Sequence, residues 1–176
     1  TVTENSGSGS VSNNHTYTLA GVYTLTLTIT DNNSGSETST FQYLSVYNPT
    51  PQGLFSGAKI FTDPSTNGKV MFGVSTKYSG TSPTGKVNMS LKSSNLDFAS
   101  TSITTLVTSN GSATVRGTGT LNEVTGYTFL VTGDETNQTV RFQIKDSLNN
   151  VVYDSQTGAP DTDTPTASVT GQIIVH

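Results

Sequence analysis

Between Tyr23 and Thr30 the chain reads Tyr-Thr-Leu-Thr-Leu-Thr-Ile-Thr. Side chains alternate faces along an extended strand, so Tyr23, Leu25, Leu27 and Ile29 share one side and four threonines share the other. β-Branched threonine suits the solvated side of a sheet. Asp31-Asn32-Asn33-Ser34-Gly35 is turn chemistry, and Thr38 to Val46 supplies a second strand, so this region is expected to be a hairpin. Asn48-Pro49-Thr50-Pro51-Gln52-Gly53 then interrupts any ladder, because proline lacks the donor N–H and restricts the residue before it. The organisation predicted is a first unit over 1–47, a Pro-rich linker over 48–53 and a second unit over 54–176.

The second unit alternates again in short pieces: Lys69–Ser75, Gly85–Leu91, Ser102–Ser109, Ser112–Thr118, Gly126–Thr132, Thr139–Lys145, Val151–Asp154 and Ser168–Val175. Turn residues separate them, notably Ser65–Gly68, Ser109–Ser112, Thr132–Glu135 and Leu148–Asn150. Strands at such spacing, with no capped helical period, predict an all-β sandwich or barrel, and the expected second unit is an antiparallel β-sandwich. Phe72, Phe98, Tyr127, Phe129, Phe142 and Ile144 are its expected core. In the first unit, Tyr17, Tyr23, Leu25, Leu27 and Ile29 form the corresponding face.

Composition narrows the setting. The chain has 176 residues with 33 threonines, 23 serines and 14 asparagines, only 11% charged residues and a net charge of -4. Soluble domains average about a quarter charged residues, so this polar surface is mostly uncharged. Regular alternation argues for a folded chain despite a composition that often accompanies disorder. Without cysteine there are no disulfides, thiolate metal sites or cysteine nucleophiles. Mild acidity argues against nucleic acid, and no apolar run is long enough to span a membrane.

The segment Asn14-His15-Thr16-Tyr17, followed by Gly21-Val22-Tyr23 and the alternating run to Asp31, resembles the C-terminal half of a PKD domain. His-x-Tyr, Gly-x-Tyr and a strand ending in Asp carry the match, which covers about the first 47 residues. The resemblance implies an extracellular immunoglobulin-like sandwich. The family's Gly-Asp-Gly turn and earlier strands are absent, so the first unit reads as a truncated half-sandwich, with Thr1 just beyond the missing turn. The remainder is similar to a C-terminal module that follows PKD or anchor-type repeats in secreted bacterial proteins. That likeness rests on Phe72-Gly73, Pro83-Thr84-Gly85, Asn95-Leu96-Asp97-Phe98, Gly117-Thr118-Gly119-Thr120, Phe142-x-Ile144-Lys145-Asp146, Val152-Tyr153-Asp154 and Ile174-Val175-His176, and implies location and architecture without an assigned chemistry.

A two-stranded hairpin is marginal in water. The Tyr23, Leu25, Leu27 and Ile29 face is therefore an expected interface, covered by the second unit, by a partner chain or by strands from elsewhere in the protein. Calcium binds six to eight oxygens and often clips the loops of extracellular β-modules. Asp154, Asp161 and Asp163, then Asp134, are the candidate ligands. Solvated loop acids are the competing account. His15 reads as a turn residue beside Tyr17, and His176 as a mobile terminal residue. No Gly-x-Ser-x-Gly, phosphate-loop or His-Glu-x-x-His motif is present. Tyr43, Tyr47, Phe55, Tyr78, Tyr127 and Tyr153 could offer sugar platforms, although alternation buries several and tryptophan is lacking. Asn14, Asn32, Asn88, Asn110 and Asn137 begin glycosylation sequons.

These features point to a non-catalytic extracellular structural or adhesive module, a spacer, anchor or filament subunit at the cell surface. Its expected partners are other protein chains or further domains of the same protein. The alternative is a ligand- or polysaccharide-binding accessory module of a secreted hydrolase.

Overall fold

The computed structural model describes residues 2–5, 8–19, 21–30, 35–46 and 53–176. The chain is all-β and antiparallel. Fourteen strands are present among the described residues: β1 Val2–Asn5, β2 Ser8–Val11, β3 Gly21–Thr30, β4 Ser36–Val46, β5 Leu54–Thr62, β6 Lys69–Ser79, β7 Ser82–Leu91, β8 Leu96–Ser109, β9 Ser112–Leu121, β10 Val124–Asp134, β11 Thr139–Lys145, β12 Val151–Asp154, β13 Ala167–Ser168 and β14 Ile174–Val175. A single 3-10 turn, Lys92–Ser94, is the only helical element described. The expected linker lies almost wholly outside the described residues, as does most of the turn between β3 and β4.

Strands β5 to β12 form a next-neighbour meander, and β13 and β14 complete a ten-stranded sheet with it. The sheet curls until its two halves face each other, so residues from β5 through β14 share one hydrophobic cluster. Phe98 on β8 lies edge-on to Phe142 on β11 at 5.8 Å and to Phe129 on β10 at 5.3 Å. Phe72, Phe129, Phe142 and Ile144 are buried with Phe98, as the alternation required, while Tyr127 packs against the cluster only partly buried. Glycines on β9 make room for the rings. A Cβ on Gly119 would sit 2.4 Å from the Phe98 ring, and one on Gly117 2.8 Å from that of Phe129.

Turn chemistry sets the register. Asn110 and Gly111 both have positive φ, 51° and 76°, the conformation of a tight hairpin turn that suits strand twist, and they join β8 to β9. The turn expected at Thr132–Glu135 comes later, because β10 continues to Asp134. The strand β5 carries no strict alternation and was not anticipated. Its core positions are Phe55 and Phe61, and Gly57 approaches Ile173.

The expected strand Ser168–Val175 is instead two short strands on different partners. Ala167 and Ser168 pair with β11, whereas Ile174 and Val175 pair with β5. Between them Thr170 N–H donates to Ile60 O at 2.8 Å, and Val169 N–H to Gln138 O at 3.0 Å. The Gln138 side chain accepts from Ile173 N–H at 2.7 Å and donates to Ile173 O at 3.2 Å. This segment closes the seam between the two ends of the meander. His176 is accordingly held rather than mobile, exchanging backbone hydrogen bonds of 2.8 and 2.9 Å with Leu54.

Strands β3 and β4 form a separate two-stranded sheet, and β1 pairs only with β2. The Tyr23 end of the hairpin is anchored locally: Tyr23 O–H donates to Leu19 O at 2.9 Å, and its ring meets Tyr17 at 4.5 Å. His15 lies edge-on to Tyr17 at 4.6 Å. Beyond that cluster the apolar face is open, with Leu25, Leu27 and Ile29 exposed by 40, 46 and 57% and Phe41 by 62%. The second unit does not cover this face. Among the described residues, Leu25, Leu27 and Ile29 are therefore not part of a core.

Candidate functional site

Strand β11 reads Thr-Val-Arg-Phe-Gln-Ile-Lys, with Val140, Phe142 and Ile144 directed into the core. The alternate positions would ordinarily meet water, yet Thr139, Arg141 and Gln143 are buried as well. The cause is the connection 155–166, which lies across the outer face of the sheet. Arg141, fully buried, holds it in place. Its Nε and Nη2 donate to Asp154 at 3.0 and 2.7 Å, Nη1 donates to Pro160 O at 2.6 Å and Nη2 to Ala159 O at 2.8 Å. Gln143 and the backbone N–H of Gln156 complete the shell of Asp154. Burial disfavours the Asp154 charge, but these donors outweigh it and hold the carboxyl below its ordinary 3.8.

A second polar anchor ties opposite ends of the meander together. Tyr153 O–H donates to buried Asp63 at 3.0 Å, and Asp63 also accepts from Ser65 and Thr66. Burial, then the Asp63 charge, holds the phenol far above its ordinary range, so it remains a donor. Asp63 is depressed because its hydrogen bonds exceed its desolvation.

The four candidate calcium ligands are distributed differently from the sequence expectation. Asp134, Asp161 and Asp163 line one cleft of about 200 Å³ between the hairpin base, the β8–β9 turn and the 155–166 connection. Asp154 lies apart, bound to Arg141. Asp134 caps its own turn through the Asn137 backbone and amide, at 3.0 and 2.7 Å, and Asp161 pairs with Arg116 at 3.0 Å. Asp163 is exposed. Among the described residues no group of three His, Asp or Glu side chains is arranged to hold a metal.

Of the candidate sugar platforms, Phe55 and Tyr153 are buried, and Tyr78 donates to Leu106 O at 2.6 Å. Tyr47 lies outside the described residues. Tyr43 is different. A bulge in β4 gives it a φ of 71° and directs it to the second unit, where the Arg116 guanidinium stands 4.9 Å from its ring centre. Tyr43 and Arg116 bound an open cleft of about 620 Å³, floored by Thr128 and Leu130 and edged by Gln143, Lys145, Asn149 and Asp161.

Sequence reasoning missed Arg116 and Arg141 because both occupy outward positions of regular strands. The legible signal was the long strandless stretch around Gly158-Ala159-Pro160-Asp161-Thr162-Asp163-Thr164-Pro165, since long connections in compact domains usually have a task. No family model, curated protein or solved structure matches the chain. Among the described residues no helix is long and apolar enough to cross a membrane.

Proposed function

We propose that the chain is a non-catalytic extracellular structural or adhesive module that joins another polypeptide through its β3–β4 hairpin. The observation carrying this reading is the open face of Leu25, Leu27, Ile29 and Phe41 on a sheet of only two strands. Contiguous exposed apolar side chains on a polar surface mark interaction sites, and the hairpin's outer edges offer unpaired backbone groups to an added strand. The resemblance of residues 14–31 to part of a PKD sandwich supports the same reading, since each sheet of a sandwich is covered by another. Uncharged polar faces and a seam closed without cysteine suit an extracellular setting.

Sedimentation velocity across a wide concentration range tests the proposal. The full chain is expected to associate as concentration rises. Substituting Leu27→Asp together with Ile29→Asp is expected to abolish the association. A wild-type chain that stays monomeric across the whole range would overturn it.

The alternative, a saccharide-binding accessory module, is favoured by one observation: the aromatic and cationic cleft around Tyr43 and Arg116.

A further inference from the structure

Two of the fourteen asparagines precede glycine, Asn67 and Asn110. In that pair the carboxamide carbon and the next backbone nitrogen can close a succinimide ring, because glycine puts no side chain in the path of the approach. Asparagine is thermolabile for this kind of reason. The fold treats the two positions differently.

Asn67-Gly68 lies in the turn between β5 and β6, and its backbone is engaged throughout. Asn67 N–H donates to Asp63 O at 2.9 Å, and Gly68 O accepts from Asp63 N–H at 2.8 Å. Gly68 N–H donates to Thr66 Oγ1 at 3.2 Å, and the Thr66 hydroxyl donates in turn to the Asp63 carboxylate at 2.7 Å. The nitrogen that would attack thus keeps its proton in a hydrogen-bonded chain that ends on a negative charge, and bonding to the protonated form favours that form.

Asn110-Gly111 forms the tip of the β8–β9 hairpin. Asn110 is exposed. Among the described residues, neither its carboxamide nor the Gly111 N–H has a hydrogen-bond partner. The turn is tied down from its other side, where Gly111 O accepts from Glu135 N–H at 2.8 Å.

We infer that Asn110 is a site of spontaneous deamidation and that its turn protects Asn67. Hydroxide takes the Gly111 amide proton, and the nitrogen attacks Asn110 Cγ. The new C–N bond closes the succinimide, while the side-chain nitrogen takes a proton from water and leaves as ammonia. A water molecule then opens the ring at either carbonyl, giving aspartate or isoaspartate. Both products place a carboxylate beside the turn that carries Asp134 and Glu135. Isoaspartate also lengthens the backbone by a methylene between Ser109 and Ser112, which are paired in register. Loop length fixes hairpin register, so the longer path loosens this end of β8–β9. Ser109, Ser112 and Asp134 line the cleft that meets Gly21 and Val22, so the modification acts at the base of the β3–β4 hairpin.

The test is incubation of the full folded chain at mildly alkaline pH, followed by peptide mapping with mass spectrometry and isoaspartyl methyltransferase labelling. Residue 110 is expected to convert several times faster than residue 67, to yield isoaspartate, and to convert faster as pH rises. In urea strong enough to unfold the chain, the two positions should convert at closely similar rates, because the fold alone separates them. Asn110→Gln closes a larger ring more slowly and should suppress conversion at 110 while leaving the rate at 67 unchanged. Equal rates in the folded chain, faster conversion of Asn67, an unchanged Asn110, or a preference that persists in urea would overturn the inference. None of these outcomes bears on the sedimentation result, so the two readings fail separately.

Discussion

The run Tyr23–Thr30 and the strand Thr139–Lys145 alternate with equal regularity, yet one leaves its apolar face open while the other is buried on both sides. In β11 the inward side meets the core and the outward side is roofed by the 155–166 connection. In β3 the partner β4 supplies backbone hydrogen bonds but no second layer. Alternation therefore states which residues share a face. Whether that face is covered depends on elements distant in sequence, and burial of a large apolar side chain contributes about 1.5–3 kcal/mol only when they arrive.

The sharpest way to test this contrast is to remove the roof's anchor. Arg141→Met strands Asp154 as a buried charge and is expected to cost about 3–5 kcal/mol in urea unfolding. Adding Asp154→Leu should recover much of that loss, because an apolar pair can replace a buried ion pair. A single variant as stable as wild type would show that the connection holds without Arg141.

Next in size is overpacking beneath the rings. Gly119→Val has no room beside Phe98 and is expected to destabilise by about 1–3 kcal/mol, read as a lower denaturation midpoint.

Acid should act on the second unit. Asp63, Asp134 and Asp154 have folded pKa values below the ordinary 3.8, so the unfolded chain binds protons first as pH falls. Their stabilisation is present above 3.8 and is lost as pH drops from there through the lower folded values. Thermal melts should therefore be flat near neutrality and fall steeply in that acid window. A melting temperature that rises on acidification would contradict the sign.

Least affected in stability should be the hairpin pair Leu27→Asp and Ile29→Asp. With no cover to lose, the unfolding free energy of the monomer should change by no more than about 0.5 kcal/mol. A large loss would mean that the monomer itself buries this face.

Much of the fold was legible. Thr139–Lys145 and Val151–Asp154 match the observed strands, and the turn expected at Ser109–Ser112 is the one that joins β8 to β9. β5 escaped because Leu54-Phe55-Ser56-Gly57-Ala58 mixes small and large residues without a period, and its place is set by the distant Ile173 and Val175. The sites were harder to read. Arg141 and Lys145 look alike as outward cations on one strand, and only the path of 155–166 makes the first a structural anchor and leaves the second at a cleft. Asp154 and Asp161 invited a cation reading because nothing in their spacing reveals the arginines that engage them.

Closure by residues 167–176 also has a consequence during synthesis. Phe55 leaves the ribosome long before Val175, so β5 waits with one edge unpaired while the rest of the meander forms hairpin by hairpin. Local hairpins form quickly, but the long-range pairing of β14 with β5 comes last and is intrinsically slow. Until then the nascent sheet exposes the interior around Ile173 and an edge to which neighbouring chains could add. The same ten residues that seal the mature protein thus set the length of its most vulnerable interval.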